Sequence, residues 1–203
     1  IIYHVQFMLG LRHARHEMTR QGLIHGESRF PVSLTLATAV ILLLLLVIGF
    51  LLPSAWRAER SVVIRAPAAT IFPYLNSPRQ WRAWTVWYQR DPDMQTEYSG
   101  ADAGVGATSR WRDENGRGVM KVMQSERDRL VAYTLLLNGG EFRSEGNLLL
   151  LPESEGTRVV WSAAGETGRG PVNGYVALIL GRRIGGDFEA SLVLLKQKLE
   201  TKP

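Results

Sequence analysis

The sequence predicts an α+β fold: a seven-stranded antiparallel sheet curved around a long C-terminal helix, preceded by one transmembrane helix. Three observations carry this expectation. Val32 to Leu52 is a 21-residue run without a charge. From Met94 to Ala164, six segments alternate apolar and polar residues between turn-forming clusters. Beyond Gly170 the apolar period becomes that of a helix.

At about 1.5 Å per residue the first run reaches roughly 30 Å, the thickness of a bilayer's hydrocarbon core. Its polar members, Ser33, Thr35 and Thr38, carry hydroxyls that can bond back to helix carbonyls. A cleavable signal peptide has a shorter apolar stretch followed by small residues, a pattern that LPSAWRAER fits poorly. The run therefore reads as an uncleaved anchor. Arg12, Arg15, Arg20 and Arg29 precede it, whereas Arg57, Arg60 and Arg65 follow, a slight bias for an inside amino terminus and a domain outside the cytoplasm. The organisation expected is a flexible leader over residues 1–30, the transmembrane helix over 31–53 and one domain over 54–203.

Within that domain, ERSVVIRAP reads as a strand from its Val-Val-Ile centre, and Pro67 opens a short helix over AATIFPYL. Ser77 and Pro78 form an N-cap and first-turn pair for a second short helix through RQWRAW. Six strands follow: MQTEYS, GATSRWRD, GRGVMKVMQ, RLVAYTLLL, EFRSEGNLLLL and GTRVVWSAA, with separators short enough for an antiparallel meander. In the last segment Ile184, Phe188, Leu192, Leu195 and Leu199 form one stripe, and Gly181, Gly185 and Gly186 predict a kink or break near GRRIGG.

Because strand side chains alternate, the charged positions mark the solvent face and the others face the C-terminal helix. The inward set holds Thr96, Tyr98, Ser109, Trp111, Met120, Val122, Val131, Tyr133, Leu135, Phe142, Ser144, Leu148, Val159, Trp161 and Ala163. Large aromatics mixed with hydroxyls can line a hollow with a few polar handles, although core filling is the simplest reading of any one aromatic. The candidate cavity residues are Tyr98, Ser109, Trp111, Met120, Tyr133, Phe142, Ser144 and Trp161 from the sheet, with Phe188 and Leu192 from the helix. Leu136, Leu149 and Leu151 fall on the outer face instead.

His4, His13, His16 and His25 all precede the span and there is no cysteine, so the domain has no imidazole base, thiolate nucleophile or Ser-His-Asp triad. Catalysis would rest on groups such as Glu97, Glu141, Glu145, Tyr98 or Tyr133, and the glutamates fall on the solvent face. GVGATS at Gly104 to Ser109 lacks the Gly-Lys ending of a phosphate loop and reads as a turn. The pair His13 and His16 has no carboxylate support for a metal. The net charge of +5 is spread rather than clustered, which suits an anionic membrane surface and does not indicate nucleic acid.

Taken together, ERSVVIRAPAATIFPYLNSPRQWRAW, DPDMQTEYSGADAGVGATSRW and GDFEASLVLLKQKLE resemble the opening strand and paired helices, the second and third strands, and the C-terminal helix of the START-like polyketide cyclase/dehydrase superfamily (SRPBCC). The anchor ending in LPS is similar to that of membrane-anchored bacterial members. The resemblance implies a helix-grip fold whose cavity holds an apolar or amphipathic small molecule, a lipid or a polyketide-like compound, at a bacterial inner membrane. It implies no cofactor and no metal. Binding is expected rather than catalysis, with a cyclase/dehydratase-like enzyme or a protein-interaction adaptor as alternatives.

Overall fold

A computed structural model describes residues 32–113, 116–140 and 142–201. The leader expected over residues 1–30 lies outside the described residues. The chain divides into two compact units, residues 1–39 and 40–203. In the first, the described residues are helical, and Thr38 Oγ1 donates to the Leu34 carbonyl at 2.9 Å, as a hydroxyl in an apolar helix must.

The elements follow the expected order. Helix α1 (Val32–Leu51) leads within a few residues to β1 (Ala55–Ile64), only Leu52, Pro53 and Ser54 lying between. Then come α2 (Ala68–Asn76), α3 (Pro78–Trp81), α4 (Val86–Arg90), six strands β2 (Gln95–Ser99), β3 (Thr108–Asp113), β4 (Gly116–Glu126), β5 (Leu130–Leu137), β6 (Phe142–Glu153) and β7 (Gly156–Glu166), and α5 (Asn173–Glu200). The seven strands form one antiparallel sheet in the order β1-β7-β6-β5-β4-β3-β2. This is the predicted helix-grip architecture, with β1 starting four residues earlier than its Val-Val-Ile signal indicated.

Two local expectations are corrected. The second short helix ends at Trp81 rather than running through Trp84, and α4 follows it. Thr85 adopts extended backbone, its hydroxyl takes the Trp81 carbonyl at 2.9 Å, and the Val86 N–H donates to Ser191 Oγ of α5 at 3.0 Å. A tertiary contact thus decides where α4 starts. Conversely, α5 is one unbroken helix across GRRIGG. A Cβ on Gly181 would sit 3.1 Å from the Arg57 carbonyl, and one on Gly185 would sit 2.8 Å from the Arg60 guanidinium. These glycines let the helix approach β1 closely, while Gly186 faces open space.

The sheet uses the same device. Trp56 lies across from Gly165, Trp111 from Gly118 and Tyr133 from Gly146. The rings of Trp111 and Tyr133 occupy the volume in which a Cβ on Gly118 or Gly146 would sit, and at Gly165 the Arg143 carbonyl oxygen, at 2.8 Å, and the Trp56 ring, at 3.0 Å, crowd it. Between Val122 and Gln124 a bulge sends Met123 outward, where it is 52% exposed. Leu136 and Leu151 are exposed on the outer face, as alternation indicated, and Leu149 is half-buried.

Gly146→Ala should lower stability by about 1–3 kcal/mol, because the buried Tyr133 ring has nowhere to go. Gly186→Ala should raise it by about 0.5–1 kcal/mol through helix propensity alone. Thermal unfolding followed by circular dichroism separates the two, and equal midpoints would contradict the packing described.

Candidate ligand-binding face

Cross-strand register arranges the inward side chains in rows. One row crosses all seven strands: Tyr98, Ser109, Met120, Leu135, Ser144, Gly165 and Trp56 are successive partners. The next runs Thr96, Trp111, Gly118, Leu137 and Phe142. On the other side lie Val122, Tyr133, Gly146, Ala163 and Ala58. Six of the ten candidate residues, Tyr98, Ser109, Trp111, Met120, Ser144 and Phe142, therefore fall on two adjacent rows.

Helix α5 does not cover this face evenly. It packs chiefly along β1, touching β7 and α4, while α3 reaches β3. The rows through Tyr133 and Trp161 are closed by rings. Trp161 stacks on Phe188 with centroids 4.0 Å apart and planes 8° from parallel. Trp81, Trp84 and Trp87 meet it edge-on at 5.5, 5.3 and 5.8 Å. Tyr133 meets Trp81 edge-on at 5.3 Å.

Each indole N–H in this cluster finds an acceptor. That of Trp161 donates to Tyr133 Oη at 2.8 Å, that of Trp81 to the Leu75 carbonyl at 2.9 Å, and that of Trp84 to the Tyr74 carbonyl at 3.1 Å. Trp87 donates to Asp187 Oδ2 at 3.1 Å, and the other oxygen of Asp187 pairs with Arg90 at 2.7 Å. The candidates Tyr133, Trp161, Phe188 and Leu192 are thus brought together in a packed block rather than around an opening.

The rows through Tyr98 and Trp111 are different. Ser109, Met120 and Ser144 are buried as its floor, whereas Tyr98, Trp111 and Leu135 remain half-buried. Phe142 departs from expectation. It keeps the inward register but is the first residue of β6, and it is 40% exposed. The Arg79 guanidinium lies 4.6 Å above the Tyr98 ring, and Tyr88 shares a hydrogen bond with Thr96 at 3.1 Å. Burial, reinforced by the Tyr88 hydroxyl, pushes the Tyr98 phenol up to about 12. Burial likewise raises Tyr133, against a smaller lowering from the Trp161 N–H. Both hydroxyls are protonated donors at neutral pH rather than bases.

A cleft of about 490 Å³ is lined by the outward-facing Glu97, Arg110, Arg112, Arg117 and Leu136 and reaches Trp111 and Gly118 at the same edge of the sheet. Its charges do not suit an apolar ligand. Glu97 and Glu145 are solvent-exposed as expected, and Glu141 lies outside the described residues.

Sequence reasoning missed Trp81, Trp84 and Trp87 as inner-face residues. Three tryptophans within the seven residues WRAWTVW were the available signal, because so much aromatic surface in one short segment needs an apolar face to pack on.

Comparison with known proteins agrees with the architecture. The family described as polyketide cyclase / dehydrase and lipid transport matches residues 55–200. No curated protein matches the sequence. Among solved structures, DynU16, from the dynemicin biosynthetic locus, superposes with a TM-score of 0.52 at 15% identity, over 71% of this chain. The chain spans about half of that protein's length, 47%. A protein from Rhodobacter sphaeroides gives 0.51 at 16% identity, covering 71% of this chain and 92% of its own. Likeness at this identity speaks for the fold alone.

The tyrosines yield a test. A phenol whose folded pKa is raised favours the protonated folded state, so stability present below the unfolded value of about 10 is lost as pH rises above it. The difference in absorbance at 295 nm between the parent and its Tyr98→Phe or Tyr133→Phe variant should show Tyr98 ionising above the usual phenol value and Tyr133 only on alkaline unfolding. Ionisation of either at the usual value of about 10 would contradict the burial. Trp161→Phe, which strands the Tyr133 hydroxyl in an apolar block, should cost about 1–3 kcal/mol of stability.

Proposed function

The chain belongs to the polyketide cyclase / dehydrase and lipid transport family, and from that premise we propose that it is a membrane-anchored domain binding an apolar or amphipathic small molecule, a lipid or a polyketide-like compound. Its binding surface is the pair of inner-face rows through Tyr98 and Trp111. The observation that carries this reading is the row Tyr98, Ser109, Met120, Leu135 and Ser144, which sets three hydroxyls among apolar side chains and leaves Tyr98 and Leu135 half-buried.

Trp111 and Leu135 supply apolar contact, and Phe142 supplies an exposed ring at the rim. Tyr98 Oη and the hydroxyls of Ser109 and Ser144 supply donors for a carbonyl or ester oxygen. The packed rings around Trp161 make the rigid floor against which that surface is held. Helix α1 supports the anchoring. It holds 18 consecutive residues apolar enough to cross a bilayer, of which 6% are buried, unlike the core helix of a soluble protein.

Two measurements test the proposal. Full-length chain taken from membranes in polymer-bounded nanodiscs and analysed by native mass spectrometry should carry one retained apolar molecule. Leu135→Trp, which fills the uncovered surface, should lose it with little change in thermal midpoint. Equal retention by both chains, or none by the parent, would overturn the site. Alkaline carbonate should leave the chain in the membrane pellet, and release into the supernatant would overturn the anchor.

A further inference from the structure

The start of α5 is unlike the rest of the domain surface. From Gly170 to Gly181 no residue is charged, with Arg169 before and Arg182 and Arg183 after. Within this stretch Val172, Val176, Leu178 and Ile179 are 62, 41, 48 and 67% exposed. Val172, Val176 and Ile179 are spaced as one helical stripe. A soluble domain gains nothing from such a face.

This stripe adjoins the end of α1. Gly174 packs so closely on Leu52 and the Gly49 carbonyl that a Cβ would overlap Leu52, and Gly49 packs likewise against Pro171 and the Tyr175 ring. Tyr175 Oη donates to the Leu45 carbonyl at 2.8 Å. Leu45 is six residues before Leu51, so that hydroxyl sits about 9 Å inside the helix's end. Whatever solvent surrounds the last turns of α1 therefore also surrounds the first turns of α5.

We infer that the first two turns of α5 are a second membrane-seated element, laying Val172, Val176, Leu178 and Ile179 into the same leaflet that α1 leaves. The inference rests on the anchor reading of α1. Arg182 and Arg183 fall one turn beyond Ile179, at the level where anionic headgroups replace acyl chains, and both are exposed. The bilayer is the occupant because the stripe is continuous with the span and is bounded by cations. Two contacts then hold the domain to the membrane in one orientation.

The chain contains no cysteine, so single cysteines can be introduced and labelled directly. Full-length Val176→Cys, Ile179→Cys, Leu42→Cys and Leu151→Cys, each carrying a nitrobenzoxadiazole probe, are reconstituted in phosphatidylcholine–phosphatidylglycerol vesicles. Quenching is measured with a shallow nitroxide lipid and with aqueous iodide. The probes at 176 and 179 should be quenched several-fold more by the nitroxide than the probe at 151, and shielded from iodide. If they behave like 151 while 42 is lipid-quenched, the inference fails and the anchor stands. If 42 also behaves like 151, both fail. Protection of 176 and 179 from both quenchers would mean a protein covers the stripe, and would overturn the inference.

Discussion

Trp161 is the point at which the sheet, the helical segment before it and α5 meet. One face stacks on Phe188, its edges meet Trp81, Trp84 and Trp87, and its N–H is taken by Tyr133. Each ring contact contributes about 0.5–1.5 kcal/mol beyond the area it buries. An indole N–H without an acceptor in such surroundings would cost more than any one of them returns. Tyr133 in turn fits only because position 146 is a glycine. Exposed ion pairs such as Arg57 with Glu59 and Arg143 with Glu145 contribute little by comparison. Asp187 is the exception among carboxylates, since its side chain is 13% exposed and ties Trp87 and Arg90 of α4 to α5.

This ring cluster also divides the inner face. Along the rows of Tyr133 and Trp161, aromatic side chains from α3, α4, β7 and α5 fill the space between sheet and helix. Along the rows of Tyr98 and Trp111 the same sheet keeps its register and its mixture of hydroxyls and apolar groups, but Tyr98, Trp111 and Leu135 stay half-buried. A rigid block beside an incompletely covered row is a suitable base for ligand binding, because the side chains that would touch the ligand are held by strands rather than by loops.

At the other end of the domain, Leu52, Pro53 and Ser54 alone separate α1 from β1, and Thr167 is bonded to the Ser54 carbonyl through both its backbone N–H and its hydroxyl at 3.0 Å. The join between α1 and the sheet is therefore part of the domain's hydrogen-bonded structure. Glycines at 49 and 174 bring α1 and α5 together, so that the apolar start of α5 is presented where α1 ends.

By itself the sequence determined the order of the strands and long helices, the antiparallel sheet, the inward parity of β2 to β7 and the presence of one helix apolar and long enough to cross a bilayer. Those features follow from periods of two and 3.6 residues and from turn chemistry, all local along the chain. Only the tertiary structure decided which half of the inner face is filled. That depended on Trp81, Trp84 and Trp87 arriving from α3, the turn after it and α4, whose first N–H is bonded to Ser191 on α5. It also decided that the glycines of GRRIGG permit approach to β1 rather than break the helix, and that Phe142, inward by register, stays exposed at a strand end. In each case the physical reason is the same: close packing is a property of residues distant in sequence, and no local period records which partner occupies the space opposite a side chain.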